Sequence, residues 1–175
     1  MSKNVDADLD RFSEDYDKLY HSFSIRKLWR AAATNIYQVW DINKDEEGNF
    51  SVDVIVSNDG GSTIPGIYRW RDITGITNDH DVNEGDKIYL YSGKAGKGSA
   101  VGNRNTSHRK SIVDTSSNEA TGKQVREYMK KKKLSTLRIC VQYIDMSKQT
   151  NVIDMLEEMT IETFETPFNK ENRSK

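Results

Sequence analysis

Glu157 is the acid that least suits its surroundings. On a helix over residues 152–164, at about 100° per residue, Ile153, Ile161 and Phe164 fall within about 40° of it. Asp154, Glu158, Glu162 and Glu165 share a neighbouring polar face, so Glu158 reads as an ordinary solvated acid. Burying an ionised carboxylate is costly unless a cation or hydrogen-bond donors meet it. Glu157 is therefore half of an ion pair with a buried Arg, or on a helix turned enough to release it, or a functional acid. Arg104 and His108 stand four residues apart, which places them on one helical face. An Arg can grip a phosphate with two parallel hydrogen bonds, and a His can give or take a proton there; on a bare surface both are merely solvated. Tyr68 and Tyr91 each sit on a short strand beside glycine, in Gly66-Ile67-Tyr68 and Tyr91-Ser92-Gly93. Strand tyrosines usually pack, but Gly93 marks a close approach by another backbone or a ligand.

Two other patterns carry less. Gly93-Lys94-Ala95-Gly96-Lys97-Gly98-Ser99 looks like a phosphate loop, yet it lacks the Lys between its second spaced Gly and the Ser. Asp79-His80-Asp81 suggests a metal site but reads as a solvated loop.

The elements that must position these residues follow from periodicity and turn chemistry. Residues 10–32 read as helical, in two short pieces, and 35–43 and 49–57 as strands joined by a polar turn. In the second of these strands Phe50, Val52, Val54 and Val56 alternate with outward residues. Strands are expected at 66–71 and 87–93, with a polar loop over 72–85 between them. A glycine-rich stretch over 94–102 then leads to helices at 103–114 and 121–134. The strand expected at 136–146 puts Leu137, Ile139, Val141 and Tyr143 on one face. Pro65 and Pro167 fall at element boundaries, where proline is tolerated.

The whole chain has 175 residues, 35% apolar and 30% charged, enough for one domain with a modest core and an extension. No apolar run approaches the roughly 18–20 residues of a membrane span. The polar, acidic start carries no signal-peptide pattern, and one cysteine, Cys140, fits a reducing cytoplasmic setting. A net charge of −1 argues against nucleic acid only as long as the charge is evenly spread, and it is not. Residues 1–24 and 145–175 each carry −3, while residues 94–138 hold twelve bases against three acids, a net +9. That middle is a candidate phosphate-backbone footprint, although its run Lys130 to Lys133 also suits an ordinary helix C-terminus.

Together these pieces resemble the GIY-YIG nuclease superfamily. Gly66-Ile67-Tyr68 matches the first signature and Tyr91-Ser92-Gly93 the second, with Ser92 where Ile or Val is usual. Lys94 follows the second signature, as in many members, and Arg104 and His108 match the family's helical Arg and the His or Tyr four residues on. Glu157, Ile161, Phe164, Pro167 and Asn169 match the closing pattern. The match covers residues 65–169. The loop between the two tyrosines and the stretch from Gly93 to Arg104 are longer than in compact members, and residues 1–61 have no counterpart in the minimal domain.

The resemblance implies an α+β fold: a central antiparallel sheet flanked by helices in residues 62–175, preceded by a helix and β-hairpin extension in 1–61. It implies hydrolysis of DNA phosphodiesters with one divalent ion, Mg²⁺ or Mn²⁺, held by Glu157. Tyr68, Tyr91, Lys94, Arg104, His108, Glu157 and Asn169 would be the catalytic set. Arg104 would pair with the phosphate, Tyr68 or Tyr91 would take a proton from water with His108 assisting, and Asn169 would brace the Glu157 helix. A tyrosine base needs cations beside it, since a free phenol has a pKa of about 10; Lys94 and Arg104 are the nearest candidates. Lys97, Arg109, Lys110, Lys123, Arg126 and Lys130 would contact double-stranded DNA. The expected role is a restriction-type or phage or mobile-element endonuclease, in the cytoplasm of a bacterial or phage-infected cell and without membrane contact. A homodimer or higher homo-oligomer would suit palindromic sites. The alternatives are a structure-specific repair or recombination nuclease and a nonenzymatic nucleic-acid-binding module.

Overall fold

The computed structural model describes residues 24–32, 34–76 and 88–169. The helix expected before residue 24, the Asp79-His80-Asp81 loop and residues 170–175 lie outside them. Residues 24–31 form helix α1. Then follow β1 (Ile36–Lys44), β2 (Phe50–Ser57), β3 (Gly66–Asp72), β4 (Ile88–Ala95), α2 (Val101–Val113), α3 (Ala120–Lys132), β5 (Thr136–Asp145) and α4 (Ile153–Phe164). The strands form one sheet in the order β2-β1-β5-β3-β4, and every neighbouring pair is antiparallel. The protein is thus α+β, a five-stranded antiparallel sheet flanked by helices.

The β1–β2 turn forms because Asp45 accepts the Asn49 N–H at 2.8 Å and Gly48 takes φ 87°, which glycine adopts at no steric cost. β1 then pairs with β5, and Trp40 packs edge to face on Trp70 of β3, with ring centroids 5.3 Å apart. The hairpin of the extension therefore shares its sheet and its core with β3 to β5.

Central β5 is buried on both faces, where the sequence pattern singled out one. Leu137, Ile139 and Val141 join Val101, Ile112, Val125 and Met129 under α2 and α3. Ile144 joins Ile67, Ile25, Trp29 and Ile153 under α1 and α4. A strand covered by helices on both sides loses strict alternation. On the α1/α4 side the buried Arg69 guanidinium lies 4.4 Å from the Trp29 ring, 3.9 Å from Tyr89 and 4.8 Å from Phe164. Its Nε donates to Gln142 at 3.0 Å, and Trp29 donates to Thr160 at 3.2 Å. These contacts fix α4 against β3 and so set the position of Glu157.

Two expectations shift. Val54 and Val56 stay exposed, because β2 is an edge strand and only its Phe50 and Val52 reach the core. Helix α2 begins at Val101, two residues early, and takes in Gly102. That glycine is a packing position: a Cβ there would stand 2.7 Å from the Ser62 carbonyl oxygen and 3.0 Å from the Tyr37 hydroxyl. No helix among the described residues is long and apolar enough to cross a membrane.

Candidate active site

The β3–β4 ladder sets Tyr68 opposite Gly93 and Trp70 opposite Tyr91. Cross-strand partners share a face, so both tyrosines turn toward α2. Gly93 is required by this register. A Cβ there would overlap the Tyr68 hydroxyl and ring. The close neighbour expected at this glycine is thus a side chain, where the sequence pointed to a backbone or ligand. Gly66 meets the backbone carbonyl of Ile144 in the same way. The Tyr68 and Tyr91 ring centroids are 6.2 Å apart. Tyr68 is sealed from solvent at 0% exposure, while Tyr91 retains 9%.

His108 of α2 is 1% exposed and fills the space beside both rings. Its Nε2 lies 2.8 Å from the Tyr68 hydroxyl, and its ring stands edge-on to Trp70 and Tyr91 at 5.2 and 5.3 Å. Asn105, one turn earlier, accepts the Trp70 indole N–H at 3.0 Å and donates to the Val101 carbonyl at 2.9 Å, which fixes the helix on the sheet. Arg104 is exposed at the mouth of this cluster and acts on both hydroxyls. Burial pushes the Tyr68 phenol well above its ordinary value, Tyr91 adds to the rise, and Arg104 opposes it. Tyr91 is also raised, by burial first and then by Glu157, again against Arg104. The expected cation is present, but desolvation outweighs it.

Glu157 is half-buried, with 16% of its side chain exposed. Burial raises its pKa, and the Lys94 ammonium, 3.3 Å away, counters that only in part. Its cation is therefore the half-exposed Lys94 of β4, where the sequence suggested a buried Arg. Lys94 also reaches Asp154, one turn before Glu157, at 2.7 Å. Glu158 is exposed, as its helix face predicts. Glu158→Ala should change stability by less than about 0.5 kcal/mol and leave cleavage unaltered, as thermal unfolding and plasmid assays would register.

Asn169 follows α4 and binds the edge of β4. Its Oδ1 accepts the Ser92 N–H and its Nδ2 donates to the Ser92 carbonyl, both at 2.8 Å. Thr166 donates to the same Oδ1 at 2.7 Å. The side-chain amide acts as a one-residue strand on an edge that pairs with no other strand among the described residues, and it ties the end of α4 to the strand that carries Tyr91. Ser92 is buried and donates to the Tyr68 carbonyl at 3.2 Å, which suits a hydroxyl in place of the aliphatic residue.

The chain thus brings together Tyr68, Tyr91, Lys94, Arg104, His108, Glu157 and Asn169. The six basic residues singled out for DNA are spread over the segment after β4, α2 and α3. Arg126 donates to the Ser111 and Ile112 carbonyls at 2.6 and 3.1 Å and caps α2. Arg109 lies over Trp40 and donates to Thr106. Lys123 faces Glu127 at 3.9 Å along α3, and Lys97, Lys110 and Lys130 are exposed. Lys130 to Lys132 occupy the last turn of α3, the position a helix C-terminus favours.

Glu119 is the site residue the sequence reading passed over. Its Oε1 lies 2.6 Å from Nδ1 of His108, close but poorly aligned for a hydrogen bond. Only its place as one of three acids in a basic segment could have drawn notice. Among the described residues no three His, Cys, Asp or Glu side chains gather into a metal cage. Glu157, with Asp154 beside it, is the oxygen donor set near the tyrosines. No family model, curated protein or solved structure matches the chain.

Proposed function

We propose that this chain is a divalent-metal-dependent DNA endonuclease of the GIY-YIG kind. The observation that carries the reading is convergence. Seven residues spread over a hundred positions of sequence meet at the β4 edge of the sheet, in a combination suited to phosphodiester hydrolysis. The element order β3, β4, α2, α3, β5, α4 is also the one the resemblance implies.

Glu157 would hold the ion. A half-buried carboxylate that is only partly neutralised is a suitable hard donor, and Mg²⁺ keeps several waters, so one carboxylate plus phosphate oxygens suffices. When bound, the ion supplies positive charge at the phosphate and the leaving oxygen. The remaining work falls to the protein. Arg104 binds the scissile phosphate and also favours ionisation of the tyrosines. Lys94, held by Asp154, keeps a second cation at the same mouth. Tyr91 is the solvent-facing end of the tyrosine pair and Tyr68 the end joined to His108. The pair accepts a proton from the attacking water as Tyr68 passes its own to His108, hydroxide adds to phosphorus, and the bond to the leaving sugar oxygen breaks. That oxygen then takes a proton from solvent.

Incubation of plasmid and genomic DNA with Mg²⁺ tests the reading. Discrete bands mean sequence-specific cleavage and a smear means low specificity. Intact DNA with a gel shift means a binding module and overturns the proposal. If Lys94, Lys97 and Arg104 each neutralise one phosphate, log affinity should fall against log salt with a slope of about −2.7. A flat salt profile would contradict that footprint.

A further inference from the structure

We propose that Glu119 is a positioning residue for this site: its carboxylate holds the His108 proton on Nδ1, leaving Nε2 bare to accept the proton of Tyr68. Its catalytic consequence rests on the nuclease reading above; the proton placement does not.

His108 is 1% exposed, and each ring nitrogen faces one oxygen, Nε2 the Tyr68 hydroxyl at 2.8 Å and Nδ1 the Glu119 carboxylate at 2.6 Å. A neutral imidazole carries one N–H. A carboxylate can only accept, whereas a phenol can donate. The arrangement that suits both partners therefore puts the hydrogen on Nδ1, beside the Glu119 carboxylate, where a small turn of the ring or carboxylate completes the bond. Glu119 suits the role because its carboxyl lies below the ordinary range, held there first by His108 and further by Arg104, against its partial burial.

Glu119 precedes α3, makes no side-chain bond to the N–H groups of that helix, and faces His108. The groups facing His108 are Tyr68 from β3, Tyr91 from β4 and Glu119 before α3, with Arg104 on its own helix. Glu119 is the anion among them that touches the ring.

The consequence is a proton path. As water gives its proton to the tyrosine pair, the Tyr68 O–H bond breaks and an Nε2–H bond forms. Total charge is conserved, and the imidazolium so made is matched by the Glu119 carboxylate. A buried imidazolium without that anion would be costly, as would a buried phenolate. After the product leaves, the proton returns through the same hydroxyls to solvent.

The test is ¹⁵N NMR of the full chain, with His108 assigned by comparison with His108→Ala, at a pH where the imidazole is neutral. The wild type should show protonated Nδ1 and bare Nε2, and Glu119→Gln should lose that preference. Protonated Nε2 in the wild type, or an unchanged preference in Glu119→Gln, would overturn the proposal. In cleavage assays Glu119→Gln should lose about 10²-fold in kcat with DNA affinity retained. Glu119→Asp should restore part of the rate. Unchanged kcat in an active protein would also overturn the role. An inactive wild type with the expected NMR pattern would instead sink the nuclease reading and keep the proton placement.

Discussion

Replacing Glu157 with Gln is expected to abolish DNA cleavage while leaving the protein at least as stable as before. The activity loss follows from the proposed metal-holding role. Charge supplied at the phosphate is worth several kcal/mol in the transition state, and about 4 kcal/mol corresponds to roughly 10³-fold in rate. The stability result follows from burial. Desolvation raises the Glu157 pKa despite Lys94, so the folded state binds this proton more tightly than the unfolded chain does. Stability from this group is therefore full below the ordinary carboxylate value of about 4.3 and is lost as pH rises through the raised folded value. At neutral pH the ionised side chain weakens the fold, and a neutral amide removes that cost. Thermal unfolding at pH 7 should give the variant a Tm equal to or above that of the wild type. A fall of several degrees would show that the contact with Lys94 holds the fold together.

Gly93→Ala should damage both packing and cleavage. The added Cβ would overlap the Tyr68 hydroxyl and ring. Tyr68 has nowhere to retreat, since it is sealed and held against His108. Overpacking of this kind costs about 1–3 kcal/mol. A hydroxyl displaced by about 1 Å costs on the order of 10²-fold in rate. Gly96 lies three residues on with open space where its Cβ would be, so Gly96→Ala is the control and should leave both stability and cleavage near wild type. Equal effects from the two substitutions would contradict the packing argument.

What the sequence made legible was mostly local. Alternating apolar residues and turn chemistry placed every described strand, and helical spacing set Glu157 apart from Glu158. The Arg104 and His108 spacing put both on α2 near the tyrosines. What stayed hidden depends on contacts between distant segments. Glu119 precedes α3 and meets His108 only because α2 and α3 pack together, with Gly122 letting α3 approach the Ser111 carbonyl. The cation for Glu157 came from β4, and no helical periodicity could have named it. Charge singles out Arg109 and Arg126 as phosphate contacts, and the fold also gives their guanidinium groups internal partners that no charge count shows. Charge arithmetic counts residues and cannot tell a solvated cation from one that caps a helix.

The central claim is that the cluster at the β4 edge cuts DNA through Glu157. The direct measurement is conversion of supercoiled plasmid by the wild type and by Glu157→Gln, each with Mg²⁺ and with chelator, with DNA binding measured in the same samples. Cleavage only by the wild type with Mg²⁺, alongside equal binding by both proteins, is the predicted result. Plasmid left intact by the wild type with Mg²⁺, or cut equally fast by Glu157→Gln, would contradict the account.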